Sequence, residues 1–160
     1  LALRQRGYSV LLLDEFDPRL EDFQAAALVS IHSNTCYNYD PPVSGFLVAK
    51  AAAKPAEGPD DQLANCIGTI YGQITGMYWR PGATEHMTDY HSFREVHPLT
   101  PGAILELGFM RADREKLTNQ QDLLAQGITE GILCFLEPDN PFGILPATPV
   151  PATEAPTTDG

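Results

Sequence analysis

The sequence predicts an α/β domain: a three-layer α/β/α sandwich around a mostly parallel, twisted sheet, with the first strand missing from this chain. Three observations lead there. A helix-like opening passes through a single glycine, Gly7, into an apolar, strand-like segment. Further apolar runs alternate with stretches whose apolar residues recur at three and four, the pattern of strands joined by crossover helices. The runs around Ile31 and Leu105 are apolar on successive residues, as expected of strands covered on both faces.

Taken in order, Leu1 to Arg6 reads as the last turns of a helix, with Arg4 and Arg6 near its carbonyl end and Gly7 as the stop. Tyr8 to Leu13 reads as a buried strand, Asp14 to Pro18 as a polar loop, and Arg19 to Ala26 as a short helix with Leu20 and Phe23 facing inward. Leu28 to His32 and Gly45 to Ala49 are further strands, separated by a long loop holding Asn34, Asn38, Asp40, Pro41 and Pro42. Lys50 to Pro59 is rich in Ala, Pro and Gly and is expected to be mobile. Asp60 or Asp61 then caps a long helix with Leu63, Ile67, Ile70, Tyr71, Ile74 and Tyr78 on one stripe. Trp79 to Pro101 is irregular and carries three of the four histidines. Ala103 to Leu107 is a short apolar strand interrupted by one acid. Thr118 and Gln121 have the spacing of a capping box, opening a helix with Leu124, Ile128, Ile132 and Phe135 on its inner face.

Ten Lys and Arg against twenty-one Asp and Glu leave a net charge of −11. That balance excludes nucleic acid as the main partner, because such binding rests on neutralising phosphates, and it equally disfavours an anionic membrane surface. No apolar run approaches the roughly 20 residues of a membrane span, so no membrane insertion is expected. A monomer is expected. The chain opens on Leu1 rather than Met, without a signal segment, and reads as incomplete at its N-terminus. Cys36, Cys66 and Cys134 contain no C-x-x-C pair, which excludes a zinc ribbon and a C-x-x-C redox site. Cys134, inside the run Ile132 to Leu136, reads as a small buried hydrophobe, while a Cys36–Cys66 pairing is left open. From Pro138 the composition turns to Pro and Thr, so residues 1–137 are expected to form the folded domain and 138–160 a disordered tail or linker.

Two residues break the local pattern, each near a strand end. His32 closes an otherwise apolar strand and is followed by Ser33-Asn34; Glu106 sits inside Ile104-Leu105-Glu106-Leu107-Gly108-Phe109. An ionised carboxylate in such a strand is costly unless it meets a cation, a metal or several donors. Ligands of open α/β sheets gather at the carboxyl ends of the strands, so the two point to one shared site. Tyr90-His91 is the candidate within the irregular stretch for lining the cleft, whereas His86 and His97 read as surface histidines. Trp79-Arg80 reads either as a sugar platform or as a partly buried helix end.

The motifs Ser30-Ile31-His32-Ser33-Asn34 and Glu106-Leu107-Gly108-Phe109, in this order, resemble those of zinc-dependent N-acetylmuramoyl-L-alanine amidases of the amidase 3 type. The resemblance covers roughly residues 1–137. It implies one zinc (Zn2+) with His32 among its ligands and Glu106 as the catalytic acid–base residue. Asn34, which orients the loop after His32, and His91 are the candidate substrate-binding residues by their place in the sequence. The implied substrate is bacterial peptidoglycan, cleaved between N-acetylmuramic acid and L-alanine outside the cytoplasm. A zinc in that arrangement keeps an open position for water and lowers its pKa. The family's Asp-Pro-Gly-His-Gly turn and the glutamate after it are absent from the chain, which leaves one matched zinc ligand and predicts an inactive fragment. Two rival readings stand beside it: a metal-free wall-binding module, and a related zinc peptidase or amidohydrolase with a non-muramyl substrate.

Overall fold

The structure, a computed structural model, describes residues 1–139. The Pro/Thr-rich segment lies outside the described residues from position 140 on. In chain order the elements are α1 (Ala2–Gln5), a 3-10 turn (Pro18–Leu20), β1 (Leu28–Asn34), β2 (Leu47–Ala49), α2 (Pro59–Thr75), α3 (Glu85–Thr88), α4 (Ser92–Glu95), β3 (Gly102–Phe109), α5 (Arg114–Asn119) and α6 (Gln121–Leu136).

The described strands form one sheet in the order β1-β3-β2. β1 runs parallel to β3, and β2 runs antiparallel to it, so this sheet is mixed rather than mostly parallel. The near-continuous apolar text of β3 follows from its central place: both its edges are paired and both its faces are covered. On one face Ala103 and Leu105 pack with Phe46, Leu63, Ile67 and Tyr71 beneath α2, and with Leu124 of α6. On the other face Ile104 packs with Leu47, Ala49 and Met87, backed by Tyr90 and Phe93. A third layer of long helices is expected there; single-turn α3 and α4 stand in its place.

α2 and α6 cross closely because α6 presents glycine at the contact. A Cβ on Gly131 would lie 2.8 Å from Ile67 Cα, and one on Gly127 would lie 2.9 Å from Tyr71 Cδ2. This approach brings Cys66 and Cys134 to a Cα–Cα distance of 5.6 Å, where they form a disulfide. Cys134 is therefore a cross-link rather than a small hydrophobe, and Cys66 does not pair with Cys36, which is free and exposed.

Several local expectations yield to tertiary contacts. Tyr8 to Leu13 is not a strand; no described strand pairs with it, and Leu12 is 77% exposed. Without a neighbour the backbone N–H and C=O groups of a strand have no partners, and apolar sequence alone does not hold the conformation. Arg19 to Ala26 is likewise not a helix beyond the 3-10 turn. Asp22 takes a left-handed φ of 54°. Its N–H donates to Glu95 O at 2.8 Å, while Phe23 O accepts from His97 N at 3.3 Å. Leu20 is buried, but Phe23 is 40% exposed.

The cap of α2 is Gly58, not Asp60 or Asp61. Asp60 instead reaches across to β3 and accepts the Gly102 N–H at 2.9 Å, fixing the start of that strand against the helix. Tyr78 falls beyond the end of α2 and is exposed. The capping box does not form either: Thr118 lies inside α5, and its hydroxyl donates to Arg114 O at 2.8 Å. The Lys50 to Pro59 stretch is tied at two lysines, with Lys50 Nζ donating to Lys54 O at 2.9 Å and Lys54 Nζ to Pro98 O at 2.5 Å.

Candidate functional site

The parallel pairing of β1 and β3 sets Ser30 opposite Ile104 and His32 opposite Glu106. Side chains alternate across a strand, so Ser30, His32, Ile104 and Glu106 share the face covered by α3 and α4. Contacts agree with that placement. The Ser30 hydroxyl lies 3.1 Å from that of Ser92, and the His32 ring meets Tyr90 edge-on with centroids 4.9 Å apart. The two pattern-breaking residues therefore lie side by side on one face of the sheet, on neighbouring strands.

Glu106 is held as an acid out of its usual range. Burial raises its pKa, opposed by the nearby His32. Its Oε2 is buried and has no hydrogen-bond partner among the described residues. A buried carboxylate oxygen without a partner is a proton-accepting position with nothing else assigned to it.

Above His32 lies a cluster in which sequence reasoning found Tyr90 and His91 but missed Glu15. Glu15 Oε1 accepts from Tyr90 Oη at 2.6 Å and lies 3.0 Å from His91 Nε2. Its Oε2 is 4.0 Å from His32 Nε2. The Tyr90 hydroxyl, and after it His91, hold the Glu15 carboxyl below the ordinary range, while burial and the adjoining carboxylate raise the Tyr90 phenol. His91 Nδ1 lies 3.0 Å from Glu95 Oε1, so both of its ring nitrogens face carboxylates. Phe16 stacks on the same imidazole with centroids 4.4 Å apart. A signal for Glu15 was present in the sequence, an acid just past an apolar run, but the loop after that run offered nothing to rank it above Asp14 or Asp17.

The other candidates are placed as follows. Asn34 Oδ1 accepts the Thr35 N–H at 2.7 Å, so its side chain shapes the loop leaving β1. Trp79 is no sugar platform: its ring stacks on Phe46 with centroids 6.1 Å apart and lies over Gly68, where a Cβ would fall 2.4 Å from the indole. His86 is exposed, and His97 Nδ1 accepts the Leu99 N–H at 3.2 Å. A cavity of about 570 Å³ is lined by Phe16 and Glu95 but by neither His32 nor Glu106.

A catalytic zinc takes three protein ligands. Among the described residues no three His, Cys, Asp or Glu side chains converge to hold a metal. Glu15 is engaged by Tyr90 and His91, and His91 by two carboxylates, which leaves His32 as the imidazole of this cluster without a hydrogen-bond partner. The described residues do not by themselves fit a zinc centre.

No protein-family profile matches the chain, and no curated protein matches it by sequence. Solved structures do match. N-acetylmuramoyl-L-alanine amidase AmiC2 of Nostoc punctiforme is similar at 26% identity with a TM-score of 0.56, over 70% of this chain and 58% of that one. The catalytic domain of CwlV, an N-acetylmuramoyl-L-alanine amidase from Bacillus (Paenibacillus) polymyxa, is similar at 25% identity and a TM-score of 0.53, over the same 70% and 58%. An N-acetylmuramoyl-L-alanine amidase from Clostridium difficile 630 shares the fold at 23% identity and a TM-score of 0.53. The architecture is thus that of these amidases, and the chain spans about 58% of the length of each of the three.

Proposed function

We propose that this chain contributes to a peptidoglycan amidase that hydrolyses the amide between N-acetylmuramic acid and L-alanine. The observation that carries the reading is Glu106: a carboxylate raised by burial, with one oxygen unpartnered, opposite His32 on the neighbouring parallel strand. The likeness to amidase structures supplies the substrate class.

In this reading Glu106 is the acid–base residue. It accepts a proton from the attacking water as the tetrahedral intermediate forms, then gives it to the leaving amine of L-alanine as the C–N bond breaks. A pKa raised above the ordinary carboxylate range suits the half of that transfer in which Glu106 holds the proton. His32 flanks the reacting carbonyl. It is also the residue that the sequence resemblance assigns to zinc, whose other ligands would come from outside the described residues. Asn34 shapes the cleft's rim, and His91, pinned between Glu15 and Glu95, forms its wall. The Cys66–Cys134 disulfide supports a place outside the cytoplasm, because such cross-links persist in oxidising compartments. No described helix is long and apolar enough to cross a membrane.

The test uses the natural gene product that carries these residues, incubated with purified muropeptides and read by mass spectrometry. Release of stem peptides with a free L-alanine amine is expected, with a loss of roughly 10²–10⁴-fold in rate in Glu106→Gln. His32→Ala is expected to lower metal content as well as rate, whereas Glu106→Gln retains the metal. Hydrolysis by Glu106→Gln near the parent rate would remove Glu106 from the chemistry.

A further inference from the structure

The loop leaving β1 carries a second group of side chains at the same end of the sheet as His32 and Glu106, and nothing in the hydrolytic reading uses them. Tyr37 and Tyr39 alternate along it, 66% and 38% exposed. Their rings meet edge to face with centroids 4.9 Å apart, and Tyr39 leans on Phe109 at the end of β3, 6.1 Å away. With Asn38, Val43 and, on the opposite bank, Arg111, they line an open groove of about 390 Å³, within the usual size of a ligand site.

This groove is tied together rather than left to chance. Asp113, just past β3, accepts the Ser44 hydroxyl at 2.5 Å on Oδ1, and on Oδ2 the N–H of Gly45 at 3.0 Å and of Phe109 at 2.8 Å. Met110 N donates to Asn34 O at 3.1 Å, joining the two banks at the base of the loop. One carboxylate and one backbone bond therefore fix the tyrosine loop against the segment that carries Arg111. Arg111 is the groove's only charged side chain, and it makes no ion pair among the described residues. A free guanidinium is conspicuous in a chain with a net charge of −11.

We propose that this groove binds the glycan strand of the substrate: N-acetylated amino-sugar rings lie against Tyr37 and Tyr39, while Asn38 and Arg111 meet their hydroxyl and acetamido oxygens. A pyranose ring offers an apolar C–H face and a polar rim. Exposed tyrosines offer the matching flat apolar face with a hydroxyl at its edge, at a low cost in side-chain entropy. An extended peptide draws its affinity from a strand edge, and this lining offers rings and side-chain tips instead. The position fits as well: Tyr37 follows Asn34 by three residues and Arg111 follows Phe109 by two, so the groove lies where the chain leaves the two strands that carry His32 and Glu106. The proposal takes its substrate class from the amidase reading.

The test is a titration of the isotope-labelled gene product, followed by amide NMR, with tetra-N-acetylchitotetraose and separately with a free stem pentapeptide. The sugar is expected to shift the resonances of Tyr37 to Tyr39 and Arg111. Tyr37→Ala is expected to weaken it at least tenfold and Arg111→Ala several-fold. No binding, shifts confined to other surfaces, unchanged affinity in Tyr37→Ala, or perturbation of the groove by the peptide in place of the sugar would each overturn the proposal. This sugar lacks the lactyl amide, so binding stands or falls independently of hydrolysis. Muropeptide cleavage without groove binding would sink only this proposal.

Discussion

His32 and Glu106 stand opposite one another in register on the parallel strands β1 and β3. They do not form an ion pair that cancels the burial of the acid: Glu106 stays above its usual range with His32 opposing the shift. A site with this balance favours function over stability, and the imbalance is measurable in the folded protein without any substrate.

For Glu106 the sign follows from linkage. Its folded pKa is above the unfolded one, so the unfolded chain loses this proton first as pH rises. Stability therefore falls across the window from the ordinary carboxylate value, about 4.3, up to the folded value, and the penalty persists above it. Glu106→Gln cannot ionise. Denaturant unfolding should show the variant no more stable than the parent at about pH 4 and more stable at pH 7. Parallel pH profiles for the two proteins would contradict the burial of this charge.

Glu15 should behave oppositely. Tyr90 and His91 hold its carboxyl low, so its tether is complete above the ordinary carboxylate value and is lost as pH falls through the folded one. Corrected for the intrinsic pH dependence of exchange, the protection of the Asp14 to Asp17 amides should fall on acidification in the parent. In Glu15→Gln that protection should be low at every pH, with the core amides of β3 unaffected. Protection in the loop that ignores both pH and the substitution would show that Glu15 does not anchor it.

The Cys66–Cys134 bridge closes a sequence separation of 68 residues. Chain-entropy reasoning for a loop of that length gives roughly 4 kcal/mol of stabilisation, and measured cases typically fall at about 2–4 kcal/mol. Cys66→Ser with Cys134→Ser should lower the denaturation midpoint accordingly, and dithiothreitol should do the same to the parent but not to the variant. Mass spectrometry of the unreduced protein should find Cys36 alone open to alkylation.

Gly131→Ala tests the close crossing of α2 and α6. The new Cβ would stand 2.8 Å from the backbone Cα of Ile67, an atom that moves only with its whole helix. Overpacking of this kind costs about 1–3 kcal/mol, more than any gain in helix propensity. A variant at or above parental stability in chemical denaturation would show that the helices separate freely.

Much of the fold was legible from the sequence because it rests on local periodicity. β1 and β3 were readable as apolar runs, and α2 and α6 as stripes at three and four, since each buries its apolar residues against whatever layer covers it. His32 and Glu106 were legible for the converse reason: a titratable residue in an apolar run is expensive, and its cost shows in the text itself. Ends and caps were less readable. Asp60 has the spacing of a cap, but a better partner, the Gly102 N–H, waits on a strand about forty residues away.

What no local pattern contains was decided by packing alone. The pairing of Cys66 with Cys134 depends on Gly127 and Gly131 letting two distant helices approach. Glu15 joins His32 and His91 because the loop carrying it folds over α4, a contact between residues more than seventy positions apart. Tyr8 to Leu13 has the composition of a strand and is not one here, because a strand is a relation between two chain segments rather than a property of one. Sequence by itself determined which residues seek burial and which pay for it; tertiary structure decided which of them meet, because hydrogen bonds and packed contacts belong to pairs.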